Sequence, residues 1–510
     1  MRKTVPLAAM AAIFLGALIF AAPQNPKPAS PVPTYTRDVA PILFKNCTSC
    51  HRPGEIGPMS LLTYDDVRPR AKDIRDKIDE GAMPPWHADM PHGTFLNERG
   101  LTDQEKSTIF RWVANGAPKG DLKDMPGTPD YPRGWSIGTP DAVFEMQEDY
   151  KVPADEVIQY EYFYIPTNFK EPKWVQAIEI RPGNRNVVHH VLLRYKAKPD
   201  IQRQPVLKLT PEISNFPADG LSGLRPQVKD GVPARLLATY APGTNPQVFA
   251  PGTALRLEPG GVLELQMHYT SAGQDETDRT KVGLIFSKDP APREVRAGQF
   301  FNTTLRLPAG AADVKVDADV EFSQDTTIWG LFPHTHVRGK KWEYVLLLPD
   351  GSKKTILSVP RYDFNWQLDY DLAKPLTIKK GTKLRVSWVY DNSAHNPANP
   401  DPKLNITWGE QTWNEMMYFR INYRWVDETS KHVRNDLQAK LMESRTIGFL
   451  DDNADGKVEE AELKGSYASL KARFAALDLN KDGGLDLKEL SAGNITRATA
   501  RRLAETDVEQ

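Results

Sequence analysis

The spacing of apolar positions changes along this chain and marks out its parts. Behind Arg2 and Lys3, an unbroken apolar run from Val5 to Ala22 ends in small residues, before a Pro-rich stretch to Pro33. That pattern predicts an export signal over 1–22, cleaved near Ala22, and a linker over 23–34; an uncleaved N-terminal anchor is the alternative. From Tyr35 to Gly120 the spacing is helical. Asp38 precedes Val39, Ile42 and Leu43, and Ile109, Trp112 and Val113 form one stripe. Thr102, with Glu105 three residues on, predicts a capped helix start. Met125 to Pro140 is rich in Pro and Gly and reads as linker.

Beyond it the pattern becomes alternating. Ile158–Ile165, Val262–Tyr269 and Leu384–Tyr390 predict strands, separated by turns at Pro182-Gly183, Pro242-Gly243, Pro251-Gly252 and Pro259-Gly260. The stretch is too long for one sandwich, so two are expected, split near Lys288 to Arg293. After Asp427 the chain turns helical and charged again. The expectation is a multidomain protein. It has a small all-α domain at 35–121, a linker at 122–139, all-β sandwiches at 140–290 and 291–428, and an α-helical segment at 446–510.

Composition narrows the partners. The formal net charge is −1 over 510 residues, so no overall field favours nucleic acid or an acidic membrane surface. With 42 prolines and 34 glycines the chain suits short strands joined by turns. No later stretch is apolar enough to span a bilayer, so no stable span is expected once the signal is cleaved. The only cysteines, Cys47 and Cys50, leave none for structural disulfides.

Those cysteines lie in Cys47-Thr48-Ser49-Cys50-His51, the attachment signature of c-type haem. Two thiols on one helical turn can bond both vinyl groups of a porphyrin while His51 ligates the iron. A Cys-x-x-Cys pair alone could bind zinc or act in redox exchange; His51 directly after it points to haem. Met83, in Gly81-Ala82-Met83-Pro84-Pro85-Trp86, is the expected sixth ligand, with Met59, Met90 and His87 as rivals. The segment resembles single-haem cytochromes c.

Half of the ten histidines fall into three clusters: His189-His190, His268 in Gln266-Met267-His268-Tyr269, and His334-Thr335-His336. On a strand, His334 and His336 share a face and can grip one metal. His189 and His190 would point opposite ways unless a bend intervenes. A lone His-x-His is more often structural, but imidazoles without thiolates or grouped carboxylates suit copper or zinc. Asn414-Glu415-Met416-Met417-Tyr418 on its own reads as a buried apolar strand edge, but it can add a thioether, which favours cuprous copper. His92 and His432 have no such neighbours and take no role; His395, in a polar turn, reads as a solvated loop histidine, with a place lining the cleft as the alternative.

The order of these clusters resembles that in copper type II, ascorbate-dependent monooxygenases, the dopamine β-monooxygenase and peptidylglycine-hydroxylating family, over about Trp135 to Trp425. The resemblance implies two jelly-roll-like sandwiches and two copper ions. It places His189, His190 and His268 on an electron-storing copper. His334, His336 and Met416 go to an oxygen-activating one, with Met417 the fallback. Gln266 matches the family's glutamine two before the third histidine. The chain departs from peptide-hydroxylating members at Phe332, where they carry arginine, and at Tyr418 and Arg420, where they carry asparagine and tyrosine. Peptide amidation is therefore not expected.

Near the C-terminus, Asp451, Asn453, Asp455, Lys457 and Glu462, with Gly456 at the turn, fit the twelve-residue EF-hand loop. Asp478, Asn480, Asp482, Gly484 and Glu489, with Gly483, fit it again. Lys457 and Gly484 stand where a backbone carbonyl ligates calcium.

The combined expectation is a periplasmic or secreted oxidoreductase. It hydroxylates a small or short organic substrate with O2 and takes electrons from an external donor through its own haem domain. Tethering would raise the mutual concentration of the two redox modules without requiring a tight interface, and the sequence leaves open whether the domains touch. The alternative is a non-catalytic copper- and haem-binding or electron-transfer protein.

Overall fold

The computed structural model describes residues 31–196 and 235–489, except positions 54, 56, 132–133, 157, 159, 242–243, 291, 303–304, 410, 454, 464 and 487–488. The expected signal at 1–22, most of the 23–34 linker, the Pro242-Gly243 turn and residues 490–510 lie outside the described residues. What is described is mostly β-sheet, with short helices towards the two ends. None of these helices is long and apolar enough to cross a membrane.

Four short helices come first: α1 (Ala40–Asn46), α2 (Tyr64–Val67), α3 (Ala71–Asp79) and α4 (Asp103–Ala114). Val39, Leu43, Val67, Ile109 and Trp112 form their common core. The first helical turn begins at Tyr35, earlier than Asp38 alone indicates. The Asp38 carboxylate accepts from Thr34 N at 2.7 Å, satisfying an N–H that the helix start would otherwise orphan. At Thr102 the capping box forms in both directions, 3.2 Å from Glu105 N to Thr102 Oγ1 and 2.8 Å from Thr102 N to Glu105 Oε2. Such a cap contributes about 1 kcal/mol.

The first β unit contains β1 (Ala142–Glu145), β2 (Tyr150–Val152), β3 (Glu161–Pro166), β4 (Lys173–Arg181), β5 (Val188–Lys196), β6 (Arg235–Tyr240), β7 (Gln247–Val248), β8 (Thr253–Leu257), β9 (Val262–Tyr269), β10 (Glu276–Asp278), β11 (Lys281–Phe286) and β12 (Arg293–Glu294). Its two main sheets run β1-β11-β4-β8-β12 and β3-β9-β5-β6. Alternate residues of both, among them Val191, Leu193, Leu265 and Met267 against Val175, Ile178, Leu255 and Val282, meet in one core.

The second unit contains β13 (Arg296–Phe301), β14 (Arg306–Leu307), β15 (Val314–Glu321), β16 (Thr326–His334), β17 (Gly339–Leu347), β18 (Lys353–Val359), β19 (Tyr370–Ile378), β20 (Lys383–Tyr390), β21 (Ile406–Thr407) and β22 (Tyr418–Trp425). Its sheets run β13-β22-β16-β19 and β15-β20-β17-β18. Trp342, Tyr344, Trp388, Phe419, Tyr423 and Trp425 fill the space between them. Large aromatic side chains of this kind dominate core energetics.

The helical unit is docked, not merely tethered. Leu96 N donates to Asp371 O at 2.7 Å, Ala373 N donates to Thr94 O at 2.9 Å, and Phe95 bridges Leu372 antiparallel. Residues 94–96 thus extend the sheet at the exposed edge of β19. Trp86, Phe95 and Tyr370 lie edge to face, with centroids 5.1 to 5.8 Å apart. The sequence leaves open whether the domains touch; paired backbone and a shared aromatic cluster hold the unit in place.

At the other end, α5 (Asn435–Gly448) lies on β15 and buries Leu437 and Leu441 in the second core. A side chain at Gly448 would meet Asp319 O at 1.9 Å, so only glycine allows this approach. The short α6 (Phe474–Leu477) follows a 3-10 segment.

Candidate metal centre

The β3-β9-β5-β6 sheet turns its outer face away from the first core, and on β9 that face carries Gln266 and His268. On β5 the register shifts between Val188 and His190, so the strand holds one residue more than its partner. His190 pairs with His268, and the extra residue is His189. This bulge swings a ring that would otherwise point into the core round to join its neighbours. Ligand nitrogens of His189, His190 and His268 then lie within 4.8 Å of one another. The Nδ1 atoms of His189 and His268 are 3.1 and 3.3 Å from that of His190.

Three converging imidazole nitrogens cannot satisfy one another with protons alone. Burial keeps all three neutral: His189 is lowered, His268 is pushed down to about 4, and His190 falls well below its ordinary value, with the charges of His268 and His189 adding to burial. Neutral lone pairs aimed at one point are what a cation requires. The Tyr160 ring stands 5.7 and 5.2 Å from His190 and His268. Gln266 accepts from Arg194 at 3.0 Å and donates to the Tyr162 hydroxyl. Arg194 and Lys196 both pair with Glu264.

His334 ends β16 and His336 follows two residues on, with ring centroids 5.3 Å apart. These two use the opposite nitrogen. His334 Nδ1 is 2.8 Å from Gln367 Oε1, and His336 Nδ1 is 3.3 Å from Asn414 O. Carbonyl oxygens only accept, so both Nδ1 atoms carry the proton and both Nε2 lone pairs remain for a metal. Burial pushes His334 down to about 4 and His336 well below its ordinary value.

Glu415, fully buried, ties the methionine segment to this pair. Its Oε2 accepts from His336 N at 2.7 Å and Met416 N at 3.0 Å, and its Oε1 from Arg338 N at 2.8 Å. Burial outweighs these bonds and pushes its carboxyl up to about 7. Met416 is half-buried, its backbone N–H on the same carboxylate oxygen as that of His336, whereas Met417 is committed to the second core. Packing therefore removes Met417 as the fallback.

Phe332 stacks on His334 at 6.2 Å, and the Tyr418 ring meets it edge-on at 5.7 Å. Arg420 lies opposite Phe332 in register, covers its ring at 5.1 Å, and is ion-paired with Asp369. Phe364 neighbours both histidine groups, its ring 5.9 Å from both His189 and His336. The imidazole groups of the two β units therefore share one aromatic neighbour.

In the helical unit, the backbone N–H groups of Cys50 and His51 both donate to Cys47 O, at 3.1 and 3.0 Å. That turn sets the unbridged thiols beside His51. His51 Nδ1 is 3.3 Å from Met59 O, which leaves Nε2 for an iron. Met59 is thereby held on the His51 side, and Met90 packs against the second core, so neither suits a ligand from the far side of a haem. Met83 and His87 remain. His87 Nε2 is buried with no hydrogen-bond partner among the described residues.

Both acidic loops close on themselves. Glu462 accepts from Asp452 N at 2.7 Å and Glu489 from Leu479 N at 2.9 Å. Asp451 and Asp478 accept from Gly456 N and Gly483 N, at 2.8 and 3.0 Å. Val458 and Leu485 exchange both backbone bonds, coupling the loops. Asn453 and Asp482 take part in the same rings of hydrogen bonds, and Lys457 Nζ reaches Asp482 at 2.6 Å.

Sequence reasoning missed Phe364, Gln367, Tyr160 and Tyr162. Tyr160-x-Tyr162-x-Tyr164 alternates, which would have put three phenols on one strand face. Phe364 and Gln367 lie in a loop with no pattern of their own. His92, His395 and His432 are exposed and join neither group.

Residues 470–493 match the family model for the EF hand, a calcium-binding element that covers the second loop. No curated protein matches the chain. Among solved structures, the major capsid protein P2 of bacteriophage PM2 is 10% identical over 56% of this chain and 97% of that one, with a TM-score of 0.23. An allantoicase is 10% identical over 54% and 80%, with a TM-score of 0.16. Scores this low carry no argument about fold or function.

Proposed function

We propose that this chain is an exported copper-dependent monooxygenase that hydroxylates an organic substrate with dioxygen and draws electrons through a covalently attached haem c. The observation that carries this reading is the facing pair of imidazole groups. Three Nδ1 atoms converge on one β unit, and two Nε2 atoms are left by their hydrogen bonds on the other. Neutral nitrogen ligands without carboxylate or thiolate fit copper, and a thioether from Met416, whose backbone N–H shares Glu415 with that of His336, would fit its cuprous state. Copper at the two sites and haem at Cys47, Cys50 and His51 would supply the two electrons that hydroxylation consumes; one oxygen atom enters the substrate and the other leaves as water.

The chain's own residues prepare the cleft. Gln367 and Asn414 hold the imidazoles of the second group, and Glu415 holds the methionine segment against them. Phe332 and Tyr418 exclude water from His334. Arg420 is engaged by Asp369, so this face offers no clamp for a peptide carboxylate. A haem held at Cys47, Cys50 and His51 would lie in the helical unit that is docked on the second β unit. Calcium in the C-terminal loops stabilises α5 on β15.

The test is to purify the whole chain, load it with copper and count metal against haem. Two coppers per haem, with oxygen uptake that depends on an external reductant, support the reading. Two coppers without reductant-dependent uptake support the non-catalytic alternative. Fewer than two sink the copper assignment.

A further inference from the structure

The Pro360 to Asp369 loop, between β18 and β19, reaches residues of both histidine groups. Gln367 accepts from His334 Nδ1 at 2.8 Å, and its own Nε2 donates to Phe364 O at 3.3 Å. Tyr362 donates its hydroxyl to Thr335 O at 3.0 Å and accepts from Thr335 N at 3.3 Å, holding the residue between the two histidines. Phe364 is thus placed by the same amide that orients His334. Its ring lies 5.9 Å from His189 on one side and 5.9 Å from His336 on the other. Those imidazoles are therefore separated by no more than twice that distance, with an apolar ring beside both.

We propose that Gln367 and Phe364 are positioning residues for two separate single-metal sites. Gln367 fixes His334 with Nε2 toward the metal, and Phe364 keeps the two imidazole groups from closing on a shared ion. The physical reason is donor number. Five neutral imidazoles and a thioether within one cleft could satisfy two bridged ions or one over-coordinated ion as readily as two separate ones. The Phe364 ring offers no ligand atom to either group and, 5.9 Å from an imidazole of each, takes up volume at their shared margin. Gln367 is buried and its amide oxygen can only accept, so it selects one tautomer of His334 and one ring face. This inference rests on the copper reading above.

The test uses the full chain titrated with Cu(II) and read by electron paramagnetic resonance and competition for the metal. The wild type is expected to give two magnetically independent signals. Gln367→Leu should weaken copper at the second group about 10- to 100-fold and change its hyperfine splitting, while the first group keeps its affinity. Gln367→Glu, which retains an acceptor oxygen, should restore the signal. Phe364→Ala should introduce magnetic coupling between the coppers, and Phe364→Leu, which keeps most of the bulk, should not. Unchanged spectra and affinities in both Gln367→Leu and Phe364→Ala would overturn the proposal and leave the copper assignment standing. A wild type that binds no copper would overturn both.

Discussion

At His189 the strand carries one residue more than its neighbour, and that single insertion allows adjacent histidines to aim at one point. The convergence makes a sharp prediction: in His268→Ala, bound copper should fall from two ions to one per chain, measured by metal analysis after dialysis. Retention of both would break the link between this cluster and metal. A second residue-scale prediction concerns Asp371. Burial, with Asp369 beside it, pushes its carboxyl up from an ordinary 3.8 to about 7. The folded chain therefore holds this proton after the unfolded chain has lost it. Its contribution lowers stability as pH rises from about 4 to about 7, and is level above that. Asp371→Asn should flatten this slope in urea unfolding compared at about pH 4.5 and about pH 7.5. An unchanged slope would refute the assignment.

Among the elements, the edge of β19 does the joining. Its backbone groups would be open to any strand, and here residues 94–96 occupy them. Phe95 is 4% exposed and meets Trp86 and Tyr370, so Phe95→Ala should cost about 3–5 kcal/mol of docking and packing free energy. The expected readout is faster proteolysis between residues 115 and 140 while the β units stay resistant. Equal rates in variant and wild type would show that the interface holds without this side chain. The alternation of Val262–Tyr269 marked β9 to the residue, because a strand with one face in a core repeats every second position. The docking stretch carries no such repeat: its partner lies far along the chain, so nothing local records the pairing.

Over the whole molecule, stability flows from the C-terminal loops into the second β unit. Gly448 touches Asp319, Leu437 and Leu441 enter that unit's core, and the loop beginning at Asp451 follows directly. Calcium bound only by the folded chain adds about 2.7 kcal/mol when free ion exceeds its dissociation constant a hundredfold. Chelation should therefore lower the melting temperature of the second β unit as well as the C-terminal segment, and Glu489→Gln should reproduce part of that loss. Calorimetry with calcium and with chelator is the measurement; a melting temperature indifferent to both would disconnect the loops from the β unit.

The sequence alone determined what short stretches can carry. Cys47, Cys50 and His51 form one turn, Asp451 to Glu462 and Asp478 to Glu489 form closed loops, and the periods of the strands are written in consecutive residues. In each case the partners are near neighbours, so backbone geometry brings them together. Tertiary structure decided everything that depends on distant partners. It decided that His189 joins His190 and His268, and that Met417 belongs to a core while Met416 does not. It also set Gln367 against His334, placed Phe364 beside both histidine groups, and fixed the helical unit to β19. The reason is that a side chain's direction at a bulge or in a loop is set by what packs against it, and those neighbours are chosen only when the sheets close.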